Sequence, residues 1–143
     1  MVFNIMGYRP EANLNHGRHG STVDIQLSSA NTWYSVATSS NITNIGTYYI
    51  FGTSTITNTA SGTNSYLARI VDLDKSITYL ENQETQSNNI ANAVLSLNLN
   101  GIVVITQSAT ISMQLRKTTS TVATAQCGGI LFPYTQLNLI QLS

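Results

Sequence analysis

Residues 47–57 read Thr-Tyr-Tyr-Ile-Phe-Gly-Thr-Ser-Thr-Ile-Thr and form the longest strand-like stretch in the chain. β-Branched and aromatic side chains dominate it, and these residues fit the pleated, half-buried surface of a sheet. Successive side chains of a strand point to opposite faces, so Thr53, Thr55 and Thr57 share one face. Ile56 falls on the other. We therefore expect a long strand with an aromatic start and a polar end.

Shorter stretches of alternating apolar and polar residues flank this strand. A period of two is typical of half-buried strands. Leu73-Asp74-Lys75-Ser76 has the length and polarity of a hairpin connection, and Asn100-Gly101 is a two-residue turn signal. The further predicted strands are residues 23–27, 33–36, 66–72, 77–80, 95–99, 102–106, 111–115 and 137–142.

Two segments between these strands are predicted to be loops, and one strand is irregular. Residues 81–89 hold acids, amides and hydroxyls with no apolar residue, which is typical of a solvated loop. Residues 117–126 are the second predicted loop. In the last strand the apolar phase shifts between Leu139 and Ile140. Such a shift requires either a β-bulge or burial on both faces.

About eight to ten short strands without a helical segment predict an all-β fold, an antiparallel jelly-roll β-sandwich, over residues 21–143. Residues 1–20 differ, because they contain Pro10, three glycines and two histidines but no strand periodicity. We interpret them as an N-terminal arm that anchors the domain to a neighbouring protein. The arm side chains expected to dock are Phe3, Ile5, Met6 and Tyr8.

The composition limits the classes of function. The chain has 143 residues, enough for one domain, and six basic residues balance six acidic ones at 8% charged. Nucleic-acid binding through phosphate neutralisation needs a basic excess, so none is expected. No apolar run approaches the roughly 20 residues of a membrane helix, and no secretory signal pattern opens the sequence. Solubility rests on 19 Thr, 16 Ser, 15 Asn and 8 Gln, which cost less free energy to bury against other chains than ions do.

Residues that carry enzyme chemistry are scarce. Cys127 is the single cysteine, and the histidines that would serve as its base lie in the arm. No nucleophile elbow, phosphate loop or zinc signature is present in the sequence. We therefore expect no enzymatic activity and no cofactor.

Two residue pairs have a site-like spacing and also a simpler interpretation. His16 and His19 are three residues apart, so a trimer would bring six imidazoles together for a metal or an anion. The alternative is a flexible polar arm. Asp72 and Asp74 have a spacing used in calcium-binding loops, but they also suit a solubilising hairpin in which Lys75 is the partner.

Charged and aromatic residues within the strand pattern leave further alternatives. Arg69 either pairs with an acid at a subunit interface or faces solvent. The aromatic side chains form either a platform for sugar stacking or part of the core and a trimer axis, and we favour packing. These residues are Trp33, Tyr34, Tyr48, Tyr49 and Tyr66.

The segment Ile42-Thr43-Asn44-Ile45-Gly46-Thr47-Tyr48-Tyr49-Ile50-Phe51 resembles the Gly-x-Tyr-x-Phe strand of the tumour-necrosis-factor-like (TNF-like) jelly rolls. This group includes the globular heads of complement and collagen-like proteins. Here the pattern is Gly46-x-Tyr48-x-Ile50, with Ile50 where the animal proteins favour Phe. The later Ala-Arg-Ile-Val-Asp, Gly-Ile-Val-Val, Ile-Ser-Met-Gln-Leu and closing Leu-Asn-Leu-Ile-Gln-Leu strands follow the same order. This order resembles the phage, giant-virus and bacterial-surface members more than the animal ones.

The resemblance implies a ten-strand TNF-like jelly roll that associates as a tight trimer about a three-fold axis. It leads to the hypothesis of a virion structural protein, a head fibre, capsid decoration or penton-like protein of a virus or phage. Such a protein is assembled in the host cytoplasm, and residues 1–20 hold it on a capsid or fibre shaft. The residues expected to pack the core or the trimer interface are Trp33, Tyr48, Ile50, Tyr66 and Leu139.

Two other hypotheses remain open. One is a receptor- or carbohydrate-binding adhesin module of a tail fibre or bacterial surface, which recognises a host-surface glycan or receptor through residues 81–89 and 117–126. The other is a bacterial surface or spore-coat protein of the same fold, although the sequence has no collagen-like stalk.

Overall fold

The computed structural model describes residues 18–20, 23–58, 62–88, 94–119, 123–126 and 135–143. Within these ranges ten strands pair antiparallel and form two sheets. The predicted all-β antiparallel sandwich is therefore confirmed. The strands are β1 Arg18–His19, β2 Ile25–Leu27, β3 Tyr34–Thr38, β4 Gly46–Asn58, β5 Gly62–Asp72, β6 Ile77–Asn88, β7 Val94–Ile105, β8 Ile111–Lys117, β9 Ala123–Gln126 and β10 Gln136–Gln141.

The long strand β4 organises the first sheet. Along one edge it pairs with β10 at residues 48–53 and with β9 at residues 55–58. Along the other edge it pairs with β7 over residues 46–57. β1, which contains the last residues of the predicted arm, pairs with β10, and β2 pairs with β9. The second sheet has the order β3-β8-β5-β6.

The core lies between the two sheets. The alternation along β4 turns Tyr48, Ile50 and Ile56 inward, where they have no exposed surface. From the second sheet, β5 and β8 contribute residues that are equally buried. Complete burial of one such aliphatic side chain contributes about 1.5–3 kcal/mol. The largest apolar residues among them are Tyr66, Ile70, Ile111, Met113 and Leu115.

Gly46 begins β4 in a conformation that few other residues adopt, with φ at +152°. The end of β10 folds over it, since the Thr47 N–H donates to the Ser143 carbonyl oxygen at 3.1 Å and the Leu142 N–H to the Thr47 oxygen at 2.7 Å. A Cβ on Gly46 would lie 2.0 Å from that Ser143 oxygen. The glycine of the Gly-x-Tyr pattern therefore makes room for the closing strand.

The predicted turn at Asn100-Gly101 is wrong, because β7 continues through it from Val94 to Ile105. Its inward residues Leu97, Leu99 and Val103 stay in phase on both sides of Gly101. Gly101 takes an inward position against Leu80, whose Cδ2 lies 2.7 Å from where a Cβ would be. A two-residue turn would have interrupted this alternation. The unbroken alternation of inward residues is therefore the signal in the sequence for one long strand.

The predicted loop at residues 81–89 is also wrong, since β6 continues to Asn88. Its backbone pairs with β5 in register from Asp72 back to Gly62. β6 is the last strand of its sheet in the described structure, and pairing with one neighbour suffices without apolar alternation. The predicted loop at 117–126 is shorter than expected, because Lys117 ends β8 with no exposed surface and residues 123–126 form β9.

The final strand has neither of the two features expected from its phase shift. β10 pairs with β4 without a register break, so it has no bulge. Leu137 and Leu139 face the core, whereas Ile140 and Leu142 are 45% and 54% exposed. Within one chain, the outer face is therefore apolar and uncovered at the end of this strand, whereas its earlier outward residues Gln136 and Asn138 are polar.

Candidate functional site

The outer face of the first sheet carries exposed apolar side chains at one end. Ile102 and Val104 on β7 are 67% and 60% exposed, and Tyr49 on β4 is 37% exposed. Ile140 and Leu142 continue this surface on the other side of β4. We call the five residues Tyr49, Ile102, Val104, Ile140 and Leu142 the outer apolar patch.

The strand register makes this patch continuous. Tyr49 pairs with Ile102 on one side and with Ile140 on the other, which forms a row across three strands. Val104 pairs with Thr47, and Leu142 is hydrogen bonded to the same Thr47, which forms a second row. Directly opposed residues have Cβ atoms about 4.5–5.5 Å apart, so their side chains are in contact range. Contiguous exposed apolar surface of this kind marks an interaction site.

The outer face of the second sheet carries a different arrangement, centred on Trp33. The guanidinium carbons of Arg69 and Arg116 lie 4.0 Å and 4.9 Å from the centroid of the Trp33 ring. Both distances are within cation–π range. The Arg69 Nε–H donates to Gln114 Oε1 at 2.9 Å, and Gln114 Nε2 donates to Ser35 Oγ at 3.1 Å. We call Trp33, Arg69, Gln114 and Arg116 the tryptophan–arginine cluster.

The two arginines of this cluster lack a close carboxylate partner. Neither arginine forms an ion pair within 4 Å with a described residue, whereas Lys75 is paired with Asp72 at 3.1 Å. Burial lowers the pKa of Arg69, Glu81 on the neighbouring strand raises it, and Arg116 lowers it again. The Nε of Arg116 is covered and has no hydrogen-bond partner in the described structure. The cluster therefore concentrates positive charge that the protein itself compensates only in part.

A cavity of about 210 Å³ adjoins the tryptophan–arginine cluster. Arg69 and Gln114 belong to both, so these two residues of the cluster line part of the cavity. Hydroxyl groups contribute at Ser76 and Thr78. The complete lining is Arg69, Val71, Asp72, Leu73, Ser76, Thr78 and Gln114.

The carboxylate of Asp72, in this lining, is already occupied by protein donors. Its Oδ1 accepts the Asp74 N–H at 2.9 Å, and its Oδ2 accepts Lys75 Nζ at 3.1 Å. This is the hairpin arrangement that the sequence offers as the alternative to calcium binding. In the described ranges no three His, Cys, Asp or Glu side chains gather as a metal-binding group. The same ranges contain no helix that is long and apolar enough to cross a membrane.

The residues singled out in the sequence are placed in different parts of the structure. Tyr48, Ile50, Tyr66 and Leu139 are buried in the core. Trp33 is apart from them on the outer face of the second sheet, where it contacts Arg69 and Arg116. The anchoring residues of the arm, together with His16 and Cys127, lie outside the described residues. The anchoring residues are Phe3, Ile5, Met6 and Tyr8.

Sequence reasoning did not identify Gln114, Arg116 or the outer apolar patch. Arg116 and Gln114 are outward positions of the alternating pattern in residues 111–117, on the same face as Arg69 of the neighbouring strand. The signal for the patch is the apolar phase shift at Ile140, because it places apolar side chains on the outer face at the end of β10.

Comparison with solved structures identifies the fold. The chain is similar to Eiger TNF from S. frugiperda, with a TM-score of 0.59 and 10% identity over 90% of this chain and 92% of the other. Murine APRIL at pH 8.5 has a TM-score of 0.55 and 12% identity over 89% and 98% of the two chains. A chain of the T13 particle of infectious bursal disease virus (IBDV) has a TM-score of 0.57 and 14% identity.

The viral match covers 89% of this chain and 31% of the viral one. No family model matches the sequence, and no curated protein matches it. The structural likeness therefore defines a class by fold: this protein is an antiparallel, TNF-like jelly roll.

Proposed function

We propose that this protein is a non-enzymatic structural protein of a virus or phage particle. It assembles as a homotrimer and decorates or caps the particle, as a head fibre, capsid decoration or penton-like protein. Residues 1–20 attach the trimer to the capsid or fibre shaft through Phe3, Ile5, Met6 and Tyr8. The protein is consequently located in the virion.

The observation that carries this proposal is the outer apolar patch. Removing apolar surface from water contributes about 25 cal/mol per Å², so five contiguous apolar side chains favour association. The same proposal explains the apolar phase shift between Leu139 and Ile140. A second copy of the chain would bury Ile140 and Leu142, which a single chain leaves exposed.

The composition supports a second copy of this chain as the partner that covers the outer apolar patch. Only 8% of the residues are charged, and hydroxyl and amide groups supply most of the polar surface. On the patch's own face, the adjoining row pairs Phe51 with Asn138 and Asn100, again without charge. Desolvating such groups costs less than desolvating ions, which suits a surface buried against copies of itself.

One of the structural neighbours supports the particle assignment. It belongs to the particle of infectious bursal disease virus, and this chain corresponds to about a third of that protein. A small jelly roll is thus compatible with placement on a capsid.

The experiment is to introduce one charge into the patch and measure the mass in solution by light scattering. Ile102→Lys places an ammonium among the apolar side chains, and we expect it to convert the trimer to monomers. Ser96→Lys is the matched control, because Ser96 is exposed on the same strand and face but three rows away. A trimeric Ile102→Lys protein would contradict the proposed interface.

A second candidate function is carbohydrate or receptor binding on a tail fibre or bacterial surface. Residues 81–88 form a strand, so the recognition surface expected there from the sequence is reduced. The tryptophan–arginine cluster and its cavity favour this candidate instead, and they lie on the sheet opposite to the outer apolar patch.

A further inference from the structure

The cavity beside the tryptophan–arginine cluster has the size and lining of a site for one small ligand. Sites for drug-sized molecules usually occupy about 300–1,000 Å³, and this cavity of about 210 Å³ suits a single ring with its substituents. Ser76, Thr78 and Gln114 provide hydroxyl and amide groups around it. Such groups both donate and accept hydrogen bonds, as ring hydroxyls require.

Arg69 is the charged donor available in this wall. Its Nε–H is used by Gln114, and that is the one hydrogen bond that Arg69 makes to a described residue. No hydrogen bond to a described residue uses the two terminal nitrogens of its guanidinium, and their N–H groups are the donors that we assign to a ligand. A guanidinium fork matches a carboxylate with two parallel hydrogen bonds.

The surroundings hold Arg69 in place for such a ligand. Its guanidinium stacks on the Trp33 ring, and Gln114 is itself fixed by Ser35. A donor whose orientation is already set loses less conformational entropy on binding. Arg116 on the same ring adds a second positive charge, whereas Asp72 in the cavity wall is neutralised by Lys75.

We propose that this cavity binds a carboxylate-bearing monosaccharide of the sialic acid or uronic acid class, with Arg69 holding the carboxylate and Ser76, Thr78 and Gln114 holding ring hydroxyls. The proposal deepens the second candidate function and does not depend on trimer formation. Glu81, which pairs with Arg69 across the strands, opposes the ligand's charge. Its removal should therefore strengthen binding.

Trp33 is the single tryptophan of the chain and contacts the Arg69 guanidinium, so we expect its fluorescence to change when a ligand binds Arg69. The full-length protein is titrated with the methyl glycoside of N-acetylneuraminic acid, with that of glucuronic acid, and with the neutral methyl esters of both. We expect saturable changes with a Kd near 1 mM for one or both acids and none for the esters. The acid that binds identifies the ligand source.

Variants test the assignment of each residue. Arg69→Gln should weaken binding by about tenfold or more, which corresponds to about 1.4 kcal/mol, and Glu81→Gln should strengthen it several-fold. Arg18→Gln, on β1 of the other sheet, removes the same charge and should leave binding unchanged. Thr78→Val should weaken binding of the sugar acid but not that of acetate.

Two results would overturn the proposal. One is the absence of a saturable response to either acid in the wild-type protein. The other is an equal response to the neutral esters, or to acetate and sulfate, since the cluster would then bind no sugar acid selectively. Light scattering on the same samples reports trimer assembly separately, so failure of this site is distinguishable from failure of the structural role.

Discussion

Replacing Gly46 by alanine should destabilise the protein more than the same replacement of Gly52 or Gly101, which lie within strands of the first sheet. Two costs add at this position. An L-residue held at φ +152° carries strain of about 1–3 kcal/mol. The new Cβ also lies 2.0 Å from the Ser143 oxygen, so residues 142–143 must move and release the 3.1 Å hydrogen bond from Thr47.

The lost hydrogen bond adds about 0.5–1.5 kcal/mol to the strain. We therefore expect Gly46→Ala to lower the free energy of unfolding by about 1.5–4.5 kcal/mol. The assay is urea unfolding followed by the fluorescence of Trp33, at one fixed protomer concentration because the proposed association would contribute to the measured stability.

Two controls separate the strain from the collision with Ser143. In a chain that ends at Gln141, Gly46→Ala should keep only the strain of about 1–3 kcal/mol. Gly52→Ala should cost less, because its Cβ meets the flexible thioether of Met113 and not backbone. An effect of Gly46→Ala below about 0.5 kcal/mol, the usual range of surface substitutions, would refute this reasoning. An equal effect in the long and short chains would refute the collision.

Three further outcomes follow from the structure. Burial raises the pKa of Tyr66 to about 12; between pH 10 and 12 the unfolded chain loses a proton that the folded chain keeps, so stability should fall by up to about 2.7 kcal/mol. Between pH 10 and 12 the urea midpoint of Tyr66→Phe should fall less than that of the wild-type protein. An equal fall in both proteins would contradict the assignment of this pH dependence to Tyr66. Asp72→Ala removes a buried carboxylate that accepts two hydrogen bonds, one of them from Lys75, and should lower the free energy of unfolding by about 1–3 kcal/mol. Asp72→Asn keeps an acceptor oxygen and should lower it by less. Gly101→Ala should change stability by less than about 1 kcal/mol, because the flexible end of Leu80 can move aside; a larger loss in thermal or urea unfolding would indicate that this site needs glycine.

Local patterns in the sequence suffice to predict most of the sandwich. The aromatic and β-branched stretch at residues 47–57 becomes the central strand β4, and the polar segment 73–76 becomes a turn. Alternation in residues 111–115 correctly predicts β8, with Ile111, Met113 and Leu115 in the core. These elements follow from residues close together in the chain, because one buried face determines the phase of each strand.

Elements that depend on distant pairing are not predictable in this way. β6 continues through a polar segment because β5 supplies its hydrogen bonds, and β9 forms because β2 and β4 flank it. The turn propensity of Asn100-Gly101 is overridden by pairing with β4 over twelve residues.

The same limit applies to the candidate sites. The Asp72–Lys75 pair lies within one turn, so the sequence alone offers it as the alternative to a calcium site. The tryptophan–arginine cluster joins Trp33, Arg69 and Arg116 from three strand regions, so only the sheet order brings them together. The outer apolar patch likewise requires the register of β10, β4 and β7.

The central claim is that the jelly roll itself forms the trimer, and the mass in solution tests it most directly. Light scattering is measured on the full chain and on a chain without residues 1–20. The account predicts three times the protomer mass for both, which is three times 15.5 kDa for the full chain. A trimer that forms only with residues 1–20 present would move the interface to the arm. A monomer in both cases, at micromolar concentration, would contradict the account.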